Sequence, residues 1–217
     1  MIDDIKLSVD KSADGMGREI KNSQQIDRFL ITATQKAFQL TNAIVVLCEN
    51  NYSDEAFPVL RSLMELSVNM RWIIQKDTPK RLSDYLADLL KPDFGSRWTT
   101  ANMEMRMKEI GYNDDYYSFV TKYTYSFSHV NAKSLNWSIV EKEPVFKKFD
   151  PEAIFSIVVQ MLIGVMKALN DHYEGCFEEY KVFDKKIKVT KNFKAKYIKK
   201  FNEIIEKDNE ENGEKEN

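Results

Sequence analysis

Residues 59–73, VLRSLMELSVNMRWI, constrain the fold of this chain more than any other segment. Across residues 54–75 the apolar positions nearly encircle a helical axis. A helix that is apolar all round belongs inside a protein, so other elements have to wrap around it. Pro58 falls in the first turn, where a missing backbone N–H costs little, and Ser53 or Asp54 supplies a cap. Inside this apolar rod stand Arg61 and Glu65, four residues apart.

The surrounding sequence supplies helices to do the wrapping. Glycine and proline number 7 and 5 in 217 residues, too few for the many tight turns of an all-β fold. From Ser23 to Leu47, residues Ile26, Phe29, Leu30, Ala33, Ala37, Leu40, Ile44 and Leu47 recur at three and four, one stripe of an amphipathic helix. DTPKRLSDYLADLLK predicts a helix capped by Asp77 or Thr78. SRWTTANMEMRMKEIG predicts another, ended by Gly111, and NDDYYSFVTKYTYSFSHVNA a further one. KSLNWSIVEKEPVFKKFD lacks a helical period and reads as an extended loop or short hairpin. Asp150 and Pro151 then start a long helix that runs to about Tyr180. The expected fold is an all-α bundle of six or seven helices around a central second helix.

Domain organisation follows from composition. Residues 1–20 are polar and read as a flexible lead-in, and 21–182 form the bundle. Residues 183–206 form a basic C-terminal helix, its regular part over 190–206, and 207–217 a disordered acidic tail. The formal charge of −2 conceals a local contrast. Residues 181–200 hold nine lysines and one acid, whereas 203–217 hold seven acids and two lysines.

Several chemistries are excluded. Cys48 and Cys176, with His129 and His172, are too few and too scattered for a zinc site or a disulfide framework. No phosphate-cradling glycine loop and no G-x-S-x-G elbow occurs, and paired Glu-x-x-His elements of a di-metal bundle are absent, so no cofactor is expected. MIDDIKLSVDK does not read as a signal peptide. Apolar runs such as IFSIVVQMLIGVMKAL fall short of a bilayer span, so no membrane partner and a cytoplasmic location are expected.

Two stretches carry candidate chemistry. Arg61, Glu65, Asn69 and Trp72 recur at helical spacing and form one column, polar at one end and aromatic at the other. Arg71 points elsewhere and is expected to be exposed. The Arg61–Glu65 pair either pins the helix structurally or is half of a functional site. In YSFSHVNAKS, His129 lies among Tyr125, Ser126, Asn131 and Ser134. An imidazole titrating near neutrality suits a general base. If its helix packs on the central one, Glu65 would orient His129 and Arg61 would hold a phosphate. Lys122, Tyr125, Ser126, Asn69 and Asn131 would then line the substrate. His172, near the end of the long helix, is expected to serve the helix dipole.

YSDEAFPVLRSLMELSVNMRWI, followed some sixty residues on by YSFSHVN, resembles an uncharacterised bacterial family of all-helical proteins. Its members share an R-S-x-x-E helix and a later serine–histidine element beside a tyrosine. That family is similar in turn to HEPN-like helical domains of phage defence and toxin–antitoxin pairs. Active HEPN members are metal-independent ribonucleases that place an arginine four to six residues before a histidine on one helix. This chain departs from that pattern, with Lys122 the nearest cation before His129. The resemblance implies an RNA- or nucleotide-directed protein, in its catalytic form a metal-independent ribonuclease. The other expectation is a non-catalytic helical binding or sensor module. It would work as a homodimer or with an operon-encoded partner.

Overall fold

The computed structural model describes residues 2–16, 25–88, 99–112, 151–173, 177 and 179–189. Among them the chain is all-α, with seven helices and no strand. These are α1 (Ile2–Met16), α2 (Gln25–Glu49), α3 (Ala56–Gln75), α4 (Thr78–Ala87), α5 (Met103–Glu109), α6 (Pro151–His172) and α7 (Tyr180–Val189). The chain divides into two units, residues 1–180 and 181–217, with the boundary at the start of α7.

The core of the first unit is the packing of α3 against α2 and α6. Leu60, Leu63, Val68, Met70 and Ile73 of α3 are fully buried, as are Leu30, Ala37 and Ile44 of α2 and Val158, Met161 and Met166 of α6. α3 also touches α4 and α5, so the predicted central helix is central. Its closest approach to α6 runs over two small residues. Ser67 Oγ donates to the Met161 carbonyl at 2.8 Å, and a methyl group added to Gly164 would lie 2.5 Å from that same Oγ.

Several elements differ from the sequence expectation. Residues 2–16 are helical, not a loose lead-in. Ile5 is fully buried and α1 packs on α6; a buried isoleucine side chain contributes about 1.5–3 kcal/mol, enough to offset poor intrinsic propensity. α3 starts without a side-chain cap: its N-cap is Glu55, and the carbonyls of Ser53 and Asp54 accept from Ala56 and Phe57 in a turn. α5 covers only Met103–Glu109. Asn102 intercepts its start by accepting from Met105 N at 2.9 Å, and such an amide cap fixes where a helix begins. Gly111, at φ 87°, ends it as predicted, with Tyr112 N donating to Met107 O and Gly111 N to Lys108 O.

α6 stops at His172 and a separate α7 begins at Tyr180, so the long helix is shorter than expected. Its 22 residues are nevertheless long and apolar enough to cross a bilayer by length and composition, more than its apolar run suggests. Two-thirds (67%) of that window is buried among the other helices, as in a core helix. The predicted helix and hairpin between residues 113 and 150, and the predicted helix over 190–206, lie outside the described residues.

Candidate functional site

The column read on the central helix exists, and its partners come from α4 and α5. A two-residue turn brings α4 back beside α3. Asp77 adopts the left-handed conformation (φ 49°), which a short polar side chain tolerates, and Pro79 sits in the first turn of α4. The C-terminal turn of α5 is then held by α3. Arg71 Nη2 donates to Ile110 O at 2.6 Å and Gln75 Nε2 to Glu109 O at 3.0 Å. Trp72 Nε1 donates to Glu109 Oε2 at 2.6 Å, and Arg81 of α4 pairs with Glu109 Oε1 at 2.6 Å. Arg81 also donates to the Trp72 carbonyl, its guanidinium lying 3.5 Å from the centroid of the Trp72 ring. Arg71 is therefore a packing residue, its guanidinium 5.1 Å from the Tyr112 ring centroid, and not the exposed cation expected.

This clamp sets the register of Arg106, one turn before Glu109. Arg106 Nη1 donates to Asn69 Oδ1, while Asn69 also hydrogen-bonds the hydroxyl of Tyr85 from α4. Asn69 is only 8% exposed, so both bonds satisfy an amide that would otherwise be costly to bury. One turn back, Arg61 Nε donates to Glu65 Oε1 at 3.1 Å. The two side chains are 24% and 44% exposed, so the pair lies at the rim and not in the interior.

The electrostatics tie these groups together. Burial pushes the Arg106 pKa down, and the charges of Glu65 and Tyr85 push it back. Arginine remains protonated in proteins, so Arg106 is a partly desolvated cation facing Glu65. Burial also pushes the Tyr85 hydroxyl up. Arg106 and the Asn69 hydrogen bond oppose that shift, while Asp88 and Glu65 add to it. Arg61 thus pairs with Glu65 at the rim, and Arg106, held by Asn69 one turn on, acts electrostatically on the same carboxylate from a second helix. Such an arrangement is suited to exchanging the carboxylate for another oxyanion.

Of the predicted site residues, Arg61, Glu65 and Asn69 lie together on α3. His129, Lys122, Tyr125, Ser126 and Asn131 lie outside the described residues, as does the predicted meeting of His129 with Arg61 and Glu65. Arg106 and Tyr85 were missed. No spacing rule connects residues 69, 85 and 106, although an arginine one turn from the apolar Ile110 was a usable signal.

Residues 27–91 match the model of a family of unknown function, DUF5677. No curated protein and no solved structure matches the chain. The matched segment spans α2, α3 and α4 and holds Arg61, Glu65, Asn69 and Tyr85, but neither Arg106 nor His129.

A second polar group lies at the start of the same segment. Asp27 of α2 accepts from Tyr173 Oη at 2.9 Å and meets His172 Nε2 at 3.1 Å, joining α2 to the end of α6. Burial foremost, and then Asp27, pushes the Tyr173 hydroxyl well above its ordinary range. His172 was expected to serve the dipole of its own helix; it also has this specific partner. Among the described residues no group of three or more metal-ligating side chains occurs.

Proposed function

We propose that the protein acts on RNA or a nucleotide, with Arg61 and Arg106 holding a phosphate where Glu65 now lies, as a HEPN-like helical protein of prokaryotic defence or toxin–antitoxin type. The observation that supports this reading is the rim pair Arg61–Glu65 with the Arg106 guanidinium held by Asn69 one turn further along the same helix. A half-exposed glutamate can swing away and leave its donors to a phosphate, which arginine meets in bidentate fashion. In the catalytic form, His129 is the general base and no metal takes part.

A second reading is favoured by the extent of the family match, which includes the charged column and leaves out His129. In that reading the protein binds the phosphate without cutting, as a homodimer or beside an operon-encoded partner.

The test is to titrate single-stranded RNA and mononucleotides in EDTA and to follow both binding and cleavage. Neutralising one phosphate of a single strand gives a log–log salt slope of about −0.7, which Arg61→Ala should flatten. Cleavage by wild type that His129→Ala abolishes supports the enzyme. Binding without cleavage supports the module. RNA and nucleotide affinities indistinguishable between wild type and Arg61→Ala refute both.

A further inference from the structure

α5 does not hold itself in place. It runs only from Met103 to Glu109, and a helix that short is marginal on its own. Met107 and Ile110 are buried, but apolar burial is non-directional and leaves the rotation of so short a segment open. Direction comes from four hydrogen bonds that converge on its last turn. Trp72 Nε1 donates to Glu109 Oε2 at 2.6 Å and Arg81 Nη2 to Glu109 Oε1 at 2.6 Å, so each carboxylate oxygen has its own donor. Gln75 Nε2 donates to Glu109 O at 3.0 Å and Arg71 Nη2 to Ile110 O at 2.6 Å. Arg81 is only 8% exposed, and a guanidinium buried that far is costly unless its donors are matched. The carboxylate that matches it arrives with α5.

We infer that Trp72 and Arg81 close on Glu109 as a latch, which docks α5 as a unit and so decides whether Arg106 stands at Asn69. Arg106 lies one turn before Glu109 on the same helix; its Nη1 donates to Asn69 Oδ1 and its Nε to Asn102 O at 3.4 Å. When the latch opens, α5 loses its fixed rotation and the guanidinium leaves Asn69 with it. The latch stands on these contacts alone, and its consequence for ligand binding rests on the phosphate reading above. Under that reading only the latched state presents Arg106, so a bound phosphate and a docked α5 favour each other by the same factor.

The experiment is hydrogen–deuterium exchange of the full chain. It is read at the amides of Arg106, Ile110, Gly111 and Tyr112, which donate within the α5 segment, and at the core amides of α3 and α6. In wild type the α5 amides should exchange faster than the core, through a local opening. Glu109→Gln keeps the shape of a half-exposed side chain and removes the charge that strengthens both latch bonds. It should speed exchange in α5 about 10-fold and leave the core amides unchanged. Trp72→Phe, on another helix, removes one latch donor and should speed α5 exchange in the same selective way. Adenosine monophosphate or inorganic phosphate at about 100 times its Kd should slow α5 exchange by up to about 100-fold.

Exchange in α5 that is unchanged in Glu109→Gln, or that rises only together with the core of α3 and α6, overturns the latch and leaves the phosphate reading standing. Selective acceleration by both variants supports the latch. If both variants act selectively but neither phosphate probe slows α5, the latch stands and the phosphate reading falls.

Discussion

Replacing Gly164 by alanine sets two physical effects against each other, and the structure decides which wins. Alanine is the better helix former, so propensity alone predicts a gain of about 0.5–1 kcal/mol in the middle of α6. The new methyl group, however, would lie 2.5 Å from Ser67 Oγ and 3.4 Å from Arg71 Cδ. Ser67 is fully buried and its hydroxyl is committed to the Met161 carbonyl at 2.8 Å. To make room, the hydroxyl must rotate and lose a bond worth about 0.5–1.5 kcal/mol, or α3 and α6 must separate, and overpacking of this kind costs about 1–3 kcal/mol. With the propensity gain subtracted, the net expectation is a loss of up to about 2.5 kcal/mol. For a chain of this length that lowers Tm by roughly 2–4 °C for each kcal/mol.

A thermal melt followed by far-UV circular dichroism measures the shift. Ser67→Ala removes the clashing oxygen, so the double variant should be more stable than the sum of the two single changes, with a coupling of about 1 kcal/mol or more. A Gly164→Ala protein more stable than wild type by the full propensity gain of about 0.5–1 kcal/mol, with no coupling to Ser67→Ala, would show that α3 and α6 do not meet at these two residues.

Two further outcomes follow from the polar contacts. The Arg81 hydrogen bond, with that of Trp72, holds the Glu109 carboxyl below its ordinary pKa despite an opposing effect of burial. A carboxyl depressed in the folded state stabilises it above its unfolded pKa of about 4.3, and that contribution is lost as pH falls through the folded value. Urea midpoints measured downward from neutral pH should therefore drop less steeply in Glu109→Gln than in wild type at the acid end. Parallel curves would mean that Glu109 is not held by α3 and α4. Tyr173→Phe removes one donor from Asp27 and should cost about 1.5–3 kcal/mol in urea denaturation, the range for a hydrogen bond to a charged group. An unchanged midpoint would place the hydroxyl in water.

The sequence carried the helices most clearly where burial is one-sided or complete. The stripe on α2 shows why periodicity succeeds and where it stops. Ile26, Leu30, Ala33, Ala37 and Ile44 are buried as spaced, but Phe29, Leu40 and Leu47 are only half-buried, and Thr34, Thr41 and Cys48 are buried beside the stripe. A helix period fixes the direction of a face but not its width, which depends on how many neighbours cover it. α1 was illegible because its sequence is polar: of the two buried positions described on it, Ile5 and Ser8, one is a serine that no apolar period reveals. The polar column on α3 was legible because all its members are local. Its partners, Tyr85 and Arg106, were not, because turns and caps set their register, and the left-handed Asp77 and the Asn102 cap are what fix it.

These observations give α3 two unlike faces. Toward α2 and α6 it is apolar and close-packed, with Ser67 and Gly164 allowing the nearest approach. Toward α4 and α5 it adds directional bonds, through Asn69, Arg71, Trp72 and Gln75. α5 is only seven residues long, too short to be helical by itself, so those bonds position it. The same bonds set where Arg106 stands. Changes that weaken the clamp, such as at Arg81 or Glu109, must therefore move the guanidinium that meets Asn69.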